Sequence, residues 1–177
     1  MDMELTLRRC GPEDAHALSA LASRTFSETF TGTCTEKDMA GFLAQVYSPQ
    51  KLAAELADPA EQIFFAELDG TPAGYVQFTE STPDFPFEEG LRPLELKRLY
   101  VDAAWKGRGI AQRLMDHYTA WAANYEFRYL WLGVWEENFR AQAFYRKYGF
   151  AFTGYRHPFP IGSTPQTDEW WAKIIPV

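Results

Sequence analysis

The hexapeptide Lys106-Gly107-Arg108-Gly109-Ile110-Ala111 constrains the chain more than any other stretch. An apolar strand pattern over residues 94–101 ends just before it. A long helical pattern begins inside it, with Ile110, Leu114, Tyr118, Trp121 and Tyr125 on one face. A helix N-terminus presents free N–H groups and the positive end of the helix dipole. Glycines let the backbone curl around an anion with no Cβ in the way. Lys106 and Arg108 add positive charge. The arrangement predicts a seat for a phosphate or pyrophosphate; the simpler alternative is a plain strand-to-helix turn. Two nucleotide motifs do not fit. No glycine is followed after four residues by Gly-Lys and Ser or Thr, as a P-loop requires. A dinucleotide fingerprint needs a third glycine and a place near the first strand, and here the pair stands alone at mid-chain.

Around this turn, strands and helices alternate. Residues 4–8 alternate as a strand. Pro12 then opens a helical turn, Glu13 and Asp14 stand where the dipole favours acids, and Ala17, Leu18, Leu21 and Ala22 follow at helical spacing. A second helix is predicted from Thr35, with Met39, Phe42, Leu43 and Val46 on one face. Ser48-Pro49 opens a third short piece through Leu52 and Leu56, which Asp58-Pro59 stops. Residues 62–68 and 73–78, separated by Asp69-Gly70, read as a hairpin. Residues 81–93 hold three prolines and several acids and read as a surface loop. Residues 129–135 form an apolar, central strand. Asn138 can cap a helix carrying Ala141, Phe144 and Tyr148, with Gly149 placed to end it. Residues 150–155 and 169–175 are two closing strands. The order β-α-α-β-β-β-α-β-α-β-β predicts a mixed α/β fold, and no linker divides residues 1–177, so a single domain is expected.

Composition narrows the function classes. With 177 residues, 46% hydrophobic and 23% charged, the chain is not a disordered one. No apolar run approaches the roughly 20 residues that cross a bilayer. The opening MDMELTLRRC has no apolar core of a leader, and Cys10 and Cys34 make neither a disulfide framework nor a CxxC pair, so a cytoplasmic setting is expected. A net charge of -7 argues against a broad grip on nucleic acid. His16, His117 and His157 are too scattered for a metal set, and no metal site is expected.

A second motif is Asn138-Phe139-Arg140-Ala141-Gln142-Ala143-Phe144-Tyr145-Arg146-Lys147-Tyr148-Gly149-Phe150. In this order and spacing, it and the glycine hexapeptide make the chain resemble the GCN5-related N-acetyltransferases (GNAT), which use acetyl-coenzyme A. Their main motif follows a strand and reads Gln or Arg, two residues, Gly, one residue, Gly or Ala. Here Lys106 replaces the Gln or Arg and keeps the charge. The resemblance spans essentially the whole chain, is strongest over residues 94–155, and implies a mostly antiparallel mixed sheet flanked by helices. The stretch Leu132-Gly133-Val134-Trp135-Glu136-Glu137-Asn138, with Gln166-Thr167-Asp168 downstream, looks similar to the bacterial polyamine-acetylating branch.

The resemblance implies roles. The pantetheine arm would pair with Leu99, Tyr100 and Val101, where a backbone N–H would polarise the acetyl carbonyl. The pyrophosphate would sit on Lys106, Gly107, Arg108, Gly109, Ile110 and Ala111. Asn138 would contact the cofactor or hold the following helix. Tyr145 would protonate the leaving sulfur, the alternative being a core aromatic. Glu95 would relay the amine's proton, the alternative being an ordinary strand carboxylate; period two places Glu95, Lys97, Leu99 and Val101 on one face. The expected reaction is direct attack in a ternary complex by a primary amine on a small, polyamine-like acceptor. A protein or peptide amine, or a non-catalytic acyl-CoA-binding module, are the other readings. Asp84, Glu88 and Glu89, interleaved with Phe85 and Phe87, are expected to draw a cationic amine toward the cleft. The Trp170-Trp171 pair is compatible with a homodimer.

Overall fold

The computed structural model describes residues 3–177. Its strands are β1 (Leu5–Arg9), β2 (Glu61–Leu68), β3 (Thr71–Thr79), β4 (Pro93–Val101), β5 (Tyr129–Trp135), β6 (Ala151–Pro158) and β7 (Thr167–Ile174). Helices α1 (Ala15–Phe30), α2 (Glu36–Val46) and α3 (Pro49–Ala57) lie between β1 and β2, α4 (Ile110–Asn124) between β4 and β5, and α5 (Phe139–Lys147) between β5 and β6. The short piece opened by Ser48-Pro49 is thus a helix in its own right. Local chemistry sets these boundaries. Thr35 Oγ1 accepts from the Asp38 N–H at 3.0 Å, Ser48 Oγ from Lys51 at 3.2 Å and Asn138 Oδ1 from Ala141 at 3.1 Å, each satisfying an orphan donor of a first turn. Asp69 and Gly70, both at positive φ, close the β2–β3 hairpin.

The seven strands form one sheet in the order β1-β2-β3-β4-β5-β7-β6. Every neighbouring pair is antiparallel except β4 and β5. One face packs on α4 and α5 through Val76, Phe78, Leu94, Leu96, Leu114, Tyr118, Leu132 and Trp171. The other packs on α1, α2 and α3 through Leu18, Phe26, Leu52, Ile63, Phe65 and Tyr75. No helix among the described residues is long and apolar enough to cross a membrane.

Two features of the sheet shape its middle. The parallel pairing of β4 and β5 runs only from Pro93–Tyr129 to Leu96–Leu132, so the C-terminal halves of the two strands splay apart. At the same level β4 carries a bulge: Leu96 pairs with Phe78 and Arg98 with Gln77, leaving Lys97 as an extra residue. The bulge corrects the expectation from simple alternation. Leu94, Leu96, Leu99 and Val101 face α4 and α5, whereas Glu95, Arg98 and Tyr100 face the α1–α3 side. Glu95 therefore does not share a face with Leu99 and Val101.

The Pro-rich loop also differs from the expectation. Phe85 is buried against Trp131, Tyr155 and Trp170, and Phe87 packs on Tyr129. The rings of the Pro-rich loop fill a small core of their own and, like Asp84, Glu88 and Glu89, do not line the large cleft. Trp171 is buried, and Trp170 packs between His157 and Trp131.

Candidate active site

A cleft of about 940 Å³ opens where β4 and β5 diverge. It is large enough for an extended cofactor arm and a small second substrate. Its walls come from the C-terminal half of β4, the turn leading into α4, the end of β5, the start of α5, and rings from α1, α2 and the β6–β7 loop. Glu95, Leu99, Tyr100, Val101, Lys106, Gly107, Gly109, Ile110, Ala111, Asn138 and Tyr145 all line this one cleft. Arg108 does not line it; its guanidinium lies over the Trp105 ring, 5.1 Å from the centroid.

The glycine turn leaves its backbone donors unpaired among the described residues. Gly107 and Gly109 have φ of +80° and +77°, a region that side chains with a Cβ rarely enter. Gly109 is the N-cap of α4 and brings no capping side chain. The N–H groups of residues 107–112 donate to no acceptor among the described residues. A Cβ on Gly107 would meet nothing within 4 Å, so the turn is open on that side. Lys106 is exposed beside them.

Residues 19–150 match the model of the acetyltransferase (GNAT) family. The chain belongs to the GNAT family. An N-acetyltransferase from the pepI 3′ region of Lactobacillus delbrueckii subsp. lactis is 32% identical over 165 residues, covering 92% of this chain and 93% of that protein. An N-acetyltransferase of Mycobacterium tuberculosis is 34% identical over 155 residues, covering 88% and 94%. The N-alpha-acetyltransferase RimI of the same organism is 31% identical over 113 residues, covering 64% and 66%. Among solved structures, the PaiA N-acetyltransferase of Thermoplasma acidophilum in complex with coenzyme A superposes with a TM-score of 0.77 at 19% identity, over 98% of this chain and all of that one. A GCN5-related N-acetyltransferase from Rhodopseudomonas palustris gives a TM-score of 0.75 at 21% identity, covering 99% of both chains. The protein is thus an N-acetyltransferase of GNAT architecture.

In this acetyltransferase the groups able to move protons stand on the two sides of the splay. Tyr145 projects from α5 beside Phe144 and Phe150. Burial holds its hydroxyl well above the ordinary phenol range, so it stays protonated at neutral pH. Glu95 stands on the opposite sheet face, and burial lifts its carboxyl above the ordinary value while nearby Lys97 opposes the shift. Asn138 spends its carbonyl on the α5 cap, which leaves its amide N–H groups for the cleft it lines.

Several features of the cleft and its rim were given no role by the sequence reading. Gln142 is buried and donates to the carbonyls of Trp135 and Glu136 at 3.2 and 2.9 Å, fixing the β5–α5 turn at the mouth of the splay. Asp38 on α2 accepts from the Ser163 N–H and hydroxyl at 3.1 and 2.9 Å and from Thr164 at 2.8 Å. That contact pins the β6–β7 loop across α2 and brings Phe159 against Phe42, 5.8 Å between centroids. Asp168, on β7 beside β5, also lines the cleft. Its entry into the site depends on β7 inserting between β5 and β6, a long-range pairing that leaves no local mark on the chain.

Proposed function

We propose that the protein transfers an acetyl group from acetyl-coenzyme A to a primary amine of a small, polyamine-like acceptor, by direct attack in a ternary complex. The observation that carries this reading is the alignment of three features along one cleft: the uncapped glycine turn, the splay of β4 from β5, and proton-handling side chains on both sides of that splay.

The pyrophosphate fits the free N–H groups of residues 107–112, with Lys106 and Arg108 supplying charge. Beyond Leu96 the edge of β4 facing β5 has no strand partner, so Leu99, Tyr100 and Val101 can pair with the amides of the pantetheine arm. A backbone N–H of the same stretch would polarise the acetyl carbonyl. Asn138 would donate its amide N–H to the arm. The amine nitrogen attacks the thioester carbon, the N–C bond forms and the C–S bond breaks. Tyr145 gives a proton to the departing sulfur, and Glu95, through water, takes the proton that leaves the nitrogen.

The partial match to an N-alpha-acetyltransferase supports a second reading, in which the acceptor is the α-amine of a peptide. Thiol release from acetyl-coenzyme A against spermidine, amino sugars, simple alkylamines and short peptides separates the two. Turnover with small amines is expected; turnover with peptides alone discards the small-acceptor reading. Calorimetry with coenzyme A tests the donor side, and no heat would overturn the assignment.

A further inference from the structure

The acceptor side of the cleft holds a carboxylate that the roles above do not use. Asp168 pairs across the sheet with Trp135 on β5 and with His157 on β6, so the three side chains share the face that Glu95 also occupies. Its side chain is 14% exposed, and it makes no hydrogen bond to any described residue. Its one ion-pair neighbour among the described residues is Nε2 of His157, at 3.6 Å. That imidazole lies flat on Trp170 at 3.8 Å, and burial lowers its pKa, so it is a neutral neighbour. Gly133 lets the carboxylate and the Trp170 ring pack directly on the β5 backbone: a Cβ there would stand 3.3 Å from Asp168 Oδ2 and 2.9 Å from the ring. Asp168 and Gly133 both line the cleft. Around the same space Phe26, Phe30, Phe42, Trp135 and Phe159 form a wall of rings.

A carboxylate with free lone pairs, at the base of an aromatic wall and open to a cleft, is a receptor for a cation. We propose that Asp168 binds the ammonium of the acceptor and takes its first proton, while the rest of the acceptor lies along the ring wall. The proposal rests on the acetyl-transfer reading and divides its proton transfers. The acceptor R–NH3+ gives one proton to Asp168 and becomes a nucleophile. After attack the nitrogen gives a second to Glu95 through water, and the sulfur receives one from Tyr145. The products are the amide and the free thiol. Asp168 returns its proton to solvent, and the proton on Glu95 balances the one that Tyr145 lost.

The surroundings suit the step. Burial first, and the negative charge of Glu136 on the β5–α5 turn second, raise Asp168 from 3.8 to about 7. From β4 the Tyr100 hydroxyl is held well above its ordinary value and stays neutral. From β6, Arg156 is engaged with Glu169 at 3.1 Å, and His157 is neutral. A base near 7 is about half ionised at neutral pH and is basic enough to accept a proton.

The test is the pH dependence of kcat/KM with the fastest primary amine of the panel, for the wild type and Asp168→Asn. A base that deprotonates a bound ammonium gives an acid limb near pH 7. Without it the enzyme must wait for free neutral amine, and the limb moves to the amine's own pKa, about 10. Asp168→Asn is expected to bind coenzyme A as the wild type does, to lose about 100-fold or more in kcat/KM at pH 7.5, and to show the displaced limb. A wild-type limb already near pH 10, or an unchanged profile in the variant, overturns the role of Asp168 and leaves acetyl transfer standing. A wild-type limb near pH 10 overturns the role even if the variant does not fold, and a wild-type limb near 7 is assigned to Asp168 only by its displacement in the variant. Coenzyme A binding with no turnover on any amine overturns both.

Discussion

Glu95 and Leu99, four residues apart on β4, present their side chains to opposite faces of the sheet. The extra residue between them, Lys97, is held by a polar chain. Lys97 Nζ donates to Glu61 at 2.6 Å, Gln77 Nε2 donates to Glu61 and Glu55 at 2.9 Å each, and Arg98 Nη1 donates to Glu55 at 2.6 Å and to Gln77 at 2.7 Å. The Arg98 and Glu55 side chains are 13% and 14% exposed. Removing one member of such a pair strands a buried charge, whereas removing both does not. Glu55→Ala is expected to lower stability by about 3–5 kcal/mol in urea unfolding, and Glu55→Ala with Arg98→Met to recover most of it. A Glu55→Ala loss under about 1 kcal/mol would show that the bulge does not depend on this pair.

Tyr145 is protonated across the working pH range, so in a proton transfer to the sulfur it would act as the donor. Thiolates leave tolerably well unaided, with a parent pKa of about 8.5, which keeps the benefit of a proton modest. Tyr145→Phe is expected to lower kcat by about 100-fold and to leave coenzyme A affinity unchanged. Steady-state turnover and calorimetry on the same preparation check both halves. Wild-type turnover in the variant would remove the acid role.

At Gly109 conformation and charge can be separated. The residue has φ of +77°, which Asn and Asp tolerate better than other side chains, and a Cβ would find only Gln112 Oε1, at 3.7 Å. Gly109→Asn and Gly109→Asp are nearly equal in size and differ by one negative charge. Against a pyrophosphate at the α4 N-terminus that charge is repulsive. Coenzyme A should bind Gly109→Asp about 100-fold more weakly than Gly109→Asn, with the gap closing as salt rises. Equal affinities in calorimetry would place the phosphates elsewhere.

What could be read along the chain was what neighbours in sequence determine. Thr35, Ser48 and Asn138 cap helices through donors three residues on, and the paired glycines mark the α4 turn whatever surrounds it. The bulge at Lys97 could not be read, because it exists only in the pairing of β4 with β3. Phe85 looked like an exposed ring on an acidic loop; its burial depends on Trp131 and Trp170, which arrive from strands 46 and 85 residues later in the chain. Asp168 reaches the cleft only because β7 lies beside β5. The glycine-turn half of the candidate site is therefore local and legible, and the half around Asp168 is assembled at long range.

Asp168 should also weaken the fold in a pH-dependent way. Its folded pKa, about 7, lies above the ordinary 3.8, so the folded state holds this proton more tightly than the unfolded chain does. The stability linked to it is present below pH 3.8, is lost as pH rises toward 7, and is gone above that. At about 1.4 kcal/mol per pH unit the loss is of order 4 kcal/mol. Asp168→Asn cannot ionise and escapes this loss. Relative to the wild type it should therefore gain stability between pH 4 and pH 8 by an amount of that order, read as a growing difference in urea midpoint. A difference that stays flat across this range would mean that the carboxylate is solvated in the cleft, and an early acid limb in kcat/KM would then need another base.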